Sequence, residues 1–327
     1  MKIFLAWTIL LLAASAATLP AATINGHDYV ALTGWARDNA LHVVSQTRGQ
    51  IVLAGKNARL IFNADSADAT VNGVNIRLSF PVANDHGRFL IAQFDLNSAV
   101  EPLLFPSRYV DYDRIRTICL DPGHGGRDTG NRVWHFYWHN EKTYTLLLAE
   151  ELRDQLRRAG FRVIGTRSRD VYVDLPERPA VANQAGADLF ISLHFNAAPA
   201  DAKSVQGIET YCITPVGAPS SNAQGEGSHH PPTPANRWER RSLLFAFEMQ
   251  KALVQNLHAE DRGVRRARFA VLRDARMPAI LIEGGYMTNP EEGRKIFDPA
   301  YRKQMAAAIV KGILAYARLC APPSASK

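Results

Sequence analysis

From residue 117 onward the chain alternates short apolar runs with stretches of helical period, and this alternation restricts the fold more than any other feature. Residues 117–120, 161–166, 188–193, 207–213 and 279–282 read as strands, and residues 141–158, 178–185, 241–257 and 301–319 as helices. In the first long helix Tyr144, Leu148, Leu152 and Leu156 recur every fourth position, which gives one buried face. Asn140 suits its N-cap and Gly160 its C-terminal stop. Strands alternating with helices predict an α/β fold: a twisted, mostly parallel sheet with helices on both faces. Functional side chains of such folds gather at one end of the strands.

Residues 23–108 have a different texture. Short strand-like runs at 30–32, 50–53, 58–62, 74–78 and 89–92 are separated by turn signals, with a short helix expected over 35–41. Asn25-Gly26 and Asn72-Gly73 are hairpin turns, and each follows an apolar residue in a faint internal repeat. This predicts a small β-rich domain joined through residues 105–114 to a second domain over 115–318, with a short tail at 319–327. The first domain resembles the copper amine oxidase N-terminal-like module found on exported bacterial proteins, and it carries no visible ligand cluster.

Residues 1–22 begin with Lys2, continue through an apolar run over 3–14 and end in small residues, including Ala14-Ser15-Ala16. That run is shorter than the roughly 20 residues of a bilayer span, so the layout is that of a secretory signal peptide. Export across the inner membrane to the periplasm or cell envelope follows as an expectation. No stable membrane insertion is expected after cleavage, since no later segment is long and apolar. The formal charge of +7 favours acidic partners. The cluster Arg262, Arg265, Arg266 and Arg268 lacks interleaved aromatics and reads as a solvated face, so nucleic acid is not expected. Three cysteines cannot all pair. Cys119 and Cys212 read as small buried hydrophobes, with a bridge between them as the alternative. Residues 215–236, rich in Pro, Ser and Gly, read as a long mobile loop on which His229 and His230 are solvated.

Three places carry chemistry. Asp121 to Gly126 is a Gly-rich turn with His124 at its apex, Ser192 to Asn196 ends a strand with His194, and Ile282 to Gly285 ends another with Glu283. A carboxylate leaving a buried strand needs a partner, and two imidazoles with a carboxylate form a sensible zinc donor set.

Residues 115–318 resemble the zinc-dependent N-acetylmuramoyl-L-alanine amidases. The matching stretches include LDPGHGG (120–126), Glu141-Lys142, Ala182-Asn183, ADLFISLHFNA (187–197), Gly207-Ile208-Glu209, Arg262-Gly263-Val264, Val271-Leu272-Arg273 and MPAILIEGGYMTNP (277–290). The resemblance implies Zn2+ held by His124, Glu141 and His194, with Glu283 as the catalytic base. It implies peptidoglycan as substrate and a protein activator as a further partner. Asp121 is a candidate for orienting His124 or for capping the turn, and Asn196 and Arg273 are candidate substrate contacts. The segment 128–140, with Trp134, His135, Phe136, Tyr137, Trp138 and His139, departs from the family. It is too short for a long blocking helix and reads as an exposed aromatic loop, with His135 and His139 as rival ligands. Two other readings stay open: a wall-binding protein without catalysis, and a zinc peptidase of related fold.

Overall fold

The computed structural model describes residues 22–111, 113–135, 137–199, 203–222, 227 and 230–321. The expected signal peptide up to residue 21, the tail beyond 321 and His229 lie outside the described residues.

Six strands of the second region run in the order Arg162–Gly165, Thr117–Pro122, Leu189–Asn196, Ala279–Tyr286, Ile208–Cys212 and Asp261–Arg266. Every neighbouring pair is parallel except Ala279–Tyr286 against Ile208–Cys212. Side chains alternate between two cores with the period of two that a strand imposes. Ile118, Leu120, Ile191, Leu193, Ile280 and Ile282 face one layer, where Leu148 and Leu152 of the Glu141–Arg158 helix, Leu253 of Glu239–Leu257 and Ile309 of Pro299–Leu319 cover them. Cys119, Phe190, Tyr211 and Leu281 face the other, under Ala182 and Leu272 of the shorter helices Glu177–Gln184 and Ala270–Arg273. The sheet is therefore mixed, with helices on both faces. All three cysteines are free and buried, which removes the Cys119–Cys212 bridge.

Residues 42–85 form an antiparallel meander, His42–Gln46, Gln50–Gly55, Ala58–Asn63, Ser66–Val71 and Val74–Asp85. Asn25-Gly26 and Asn72-Gly73 both take positive φ, as the tight hairpin turns require. The short helix lies at Leu32–Asp38, three residues earlier than its sequence suggests. Two strands of this meander escaped the sequence reading. Ser66–Val71 opens with Ser, Ala, Asp and Ala before Thr70 and Val71, which weakens its strand signal, and His42–Gln46 is an exposed edge with no apolar alternation.

Val264 pairs with Ile76, so the meander and the second region share one continuous sheet and one continuous core among the described residues. The Asn75 N–H donates to Asp261 (2.8 Å), and the Asn75 amide donates to the Asp261 carbonyl (2.9 Å), closing that seam. The arginine cluster beside it is not a solvated face. Arg266 is buried, donating to the Ser98 carbonyl (2.8 Å), while Arg262 and Arg265 converge on buried Glu209. Nor is 215–236 without structure, since Ala218 and Ser220 are buried and Pro234–Trp238 is a helical turn opened by a Thr233–Asn236 capping box. No helix of the described residues is long and apolar enough to cross a membrane.

Candidate metal centre

The strand Thr117–Pro122 ends in Gly123, after which the chain turns so sharply that His124 itself takes φ +62°. A non-glycine residue held there stores strain, which concentrates at functional sites. Two buried guanidinium groups hold the turn. Arg167 donates to the carbonyls of Pro122 (2.9 Å) and Gly123 (2.9 Å), and Arg178 donates to those of Pro122 (3.0 Å) and His124 (2.9 Å).

Strand register builds the next part. His194 pairs with Glu283 on the neighbouring strand, and Glu283 pairs with Glu209 on the strand beyond. In-register residues point to the same face, so the three form a row across the sheet. Glu141 reaches this row from the opposite layer, as the first residue of the Glu141–Arg158 helix. A carboxylate there meets the positive end of the helix dipole.

His124 Nε2 lies 3.1 Å from Glu141 Oε2, and His194 Nδ1 lies 3.0 Å from Glu141 Oε1. One donor atom from each of the three residues falls within 4.8 Å of the others. His124 Nδ1 lies 2.8 Å from Asp128 Oδ2, which leaves Nε2 to face Glu141. Glu141 also accepts backbone N–H groups from Asn131 (3.0 Å) and Phe195 (3.0 Å). Burial opposes the charged form of Glu141, yet its hydrogen bonds with the two imidazoles hold its carboxyl well below the usual range. Burial likewise works against a charged His124, but Glu141 and Asp128 outweigh it and raise its pKa.

Two glycines make room for the rings. A Cβ on Gly123 would lie 2.3 Å from the His194 ring, and one on Gly130 would lie 2.6 Å from His124 and 2.7 Å from Glu141. Two neutral-capable imidazoles and a carboxylate, with space reserved around them, fit a divalent cation of the zinc class.

Glu283 sits beside this cluster with its Oε2 buried and without a hydrogen-bond partner. Burial first, then the charges of Glu141 and Glu209, push its carboxyl well above the usual range. Burial opposes a charged Glu209, but Arg262 (2.5 Å) and the Tyr211 hydroxyl (2.6 Å) donate to it and lower its pKa, and the Tyr286 hydroxyl also donates (3.1 Å).

Several sequence expectations need correction. Asp121 does not touch His124. It accepts from Thr166 (2.6 Å), Arg178 (2.9 Å) and Ser192 (2.7 Å), and so shapes the turn, while Asp128 is the residue that meets the imidazole. Asn140 makes no side-chain cap. The Asn131 and Thr129 carbonyls accept from the first N–H groups of the helix instead (2.9 and 3.2 Å). His139 is buried, bonded to the Tyr144 hydroxyl and the His135 carbonyl, and takes no part in the cluster. Arg273 is exposed on the helix that leads into the start of Ala279–Tyr286, the end of that strand away from Glu283. Asn196 lies two residues past His194, half-buried, its side chain accepting from the Ala197 N–H (3.0 Å). Sequence reasoning did not assign roles to Asp128, Gly130 or Glu209. The signal for Glu209 was present, since it is a carboxylate inside an apolar strand, as Glu283 is.

A mixed α/β sheet on which two imidazoles and a helix-borne carboxylate converge, with a second carboxylate in register beside them, has the donor set of a metal-site hydrolase. The chain belongs to the N-acetylmuramoyl-L-alanine amidase family (Amidase_3), which matches residues 118–315. It is 30% identical over 225 residues to the N-acetylmuramoyl-L-alanine amidase AmiA of Escherichia coli, covering 62% of this chain and 76% of that protein. It is 33% identical over 205 residues to the amidase LytC of Bacillus subtilis, of which it spans only 36%. The crystal structure of an N-acetylmuramoyl-L-alanine amidase from Clostridium difficile matches with a TM-score of 0.52 at 32% identity, over 62% of this chain and 97% of that one.

Proposed function

We propose that this chain uses zinc, held by His124, Glu141 and His194, to hydrolyse the amide between the lactyl group of N-acetylmuramic acid and the L-alanine of the stem peptide in peptidoglycan. The observation that carries this reading is the convergence of those three donors beside Glu283, whose free oxygen faces no partner. A bound zinc supplies Lewis acidity and makes a nearby water acidic enough to ionise near neutral pH. Glu283 takes the proton as the water oxygen attacks the lactyl carbonyl carbon. It then delivers that proton to the L-alanine nitrogen as the C–N bond breaks. A carboxyl raised by burial and by two neighbouring carboxylates is suited to hold a proton between these events. Asp128 orients His124, and Arg167 and Arg178 keep the turn rigid.

Residues 115–318 form the catalytic unit in this proposal, and 23–108 a small domain joined to it edge to edge. The leader over 1–22 would carry the chain to the periplasm or cell envelope, where wall remodelling or daughter-cell separation, under a protein activator, is the setting. The test is digestion of purified sacculi with and without a chelator. Release of peptides beginning with L-alanine, abolished by the chelator and restored by zinc, supports the reading. Cleavage inside the stem peptides would transfer the chain to the peptidases.

A further inference from the structure

The segment ahead of Glu141 folds as its own two-stranded sheet, Arg132–His135 paired with Tyr137–Asn140. The pairing puts Trp134 opposite Trp138 and Arg132 opposite Asn140, while Val133 and His139 face the other way. The inward face is fixed to the protein. The His139 ring stacks on Phe297 at 3.8 Å and 10°, and His139 bonds to Tyr144. The outward face presents two indoles, 62% and 54% exposed, with centroids 5.5 Å apart at 74°. The Arg132 guanidinium lies over the Trp138 ring at 4.8 Å.

The hairpin is built from the metal centre itself. Asn131, at its base, gives its N–H to Glu141 Oε2 (3.0 Å), accepts the Glu141 N–H (2.9 Å) and donates from its side chain to the Phe195 carbonyl (2.9 Å). Two large rings held this firmly and left in water call for an occupant, because scattered surface apolars are ordinary but a paired, buttressed aromatic face is not. The base of the hairpin is bonded to Glu141 of the donor cluster, so a chain lying along this face leads toward that cluster.

We propose that Trp134 and Trp138, with Arg132, form a platform on which pyranose rings of the glycan strand stack beside the metal centre. This rests on the reading above that the scissile amide hangs from a glycan. A sugar ring offers an apolar C–H face to the indole π surface and a rim of hydroxyl and acetamido groups to the indole N–H and the Arg132 guanidinium. Two rings and one cation suit a narrow polymer. A folded protein partner needs a patch of about 800 Å² on each side.

The test uses the full chain and glycan strands stripped of their stem peptides, so that binding is read apart from hydrolysis. Trp134→Ala with Trp138→Ala is expected to weaken glycan affinity by about tenfold or more. Trp134→Phe with Trp138→Phe, which keeps flat rings, should stay within about threefold of wild type. Zinc content and melting temperature should be unchanged in both. An alanine double variant that binds stripped glycan as the wild type does overturns the platform, including the case where it instead loses a protein partner. A wild-type chain that binds stripped glycan through these rings, yet frees no stem peptide from sacculi, upholds the platform and removes the amidase reading. Stem-peptide release with unaltered glycan affinity in the alanine variant does the reverse.

Discussion

Replacing Glu283 by Gln separates chemistry from architecture at this site. Glu283 Oε2 is buried and makes no hydrogen bond, so an amide of the same shape breaks no contact at that atom. Glu283 stands in register with His194 but lies outside the three-donor cluster, so the variant keeps all three donors to the metal. The loss falls on proton transfer, for which general acid–base catalysis contributes about 10²–10⁴-fold. That corresponds to about 3–5 kcal/mol of barrier. Stem-peptide release from sacculi, followed by chromatography of the products, measures turnover, and elemental analysis measures zinc. We expect Glu283→Gln to retain one zinc per chain while turnover falls by at least about a hundredfold. A second readout comes from stability. Burial, Glu141 and Glu209 raise the Glu283 carboxyl, so in the metal-free chain its ionisation costs stability as pH rises through the folded-state value. Glutamine has no such ionisation, and the melting temperature of the metal-free variant should gain on wild type as pH increases. A variant with turnover within tenfold of wild type, or one that loses its zinc, refutes the assignment of Glu283 as proton carrier.

Asp128→Asn should weaken zinc binding by about 10–100-fold with the fold intact, because Asp128 fixes the ring of His124 from behind; competition with a fluorescent chelator reads this out. Arg178→Ala strips fully buried Asp121 of its ion-pair partner and should cost about 3–5 kcal/mol in urea unfolding, whereas removal of an exposed pair such as Arg294–Glu291 should change the midpoint little. Burial raises the Asp95 carboxyl to about 6, against the lowering effect of the Ser79 and Phe80 N–H groups. A raised acid keeps its stabilising contribution below its unfolded pKa and loses it as pH climbs. Wild type should therefore lose up to about 3 kcal/mol between pH 4 and pH 6 through this group, and Asp95→Asn should flatten that part of the unfolding profile.

Much of the second region was legible in its residues. Apolar runs broken by helical period predict a layered α/β sheet because each element must bury one face, and the observed alternation of Ile118, Leu120, Ile191 and Leu193 against Cys119 and Phe190 follows from the same pleat. The residues that gather at the strand ends, His124, His194 and Glu283, were also visible locally, since each is a polar group that terminates or interrupts an apolar strand. What sequence alone determined was therefore the alternation of elements and the polar residues that this alternation cannot bury without a purpose. Tertiary structure decided which of those residues meet. Register set His194, Glu283 and Glu209 in one row. The crossing of a helix end over the sheet brought Glu141 to them, Asp128 rather than Asp121 reached the imidazole, and the arginine cluster turned inward, Arg262 onto Glu209 and Arg266 to the Ser98 carbonyl of the first region. Apart from the Asp128–His124 contact, which spans four residues, these join residues separated by 53 to 168 positions. Local propensity carries no information about such pairings, because they are chosen by the packing free energy of the whole chain.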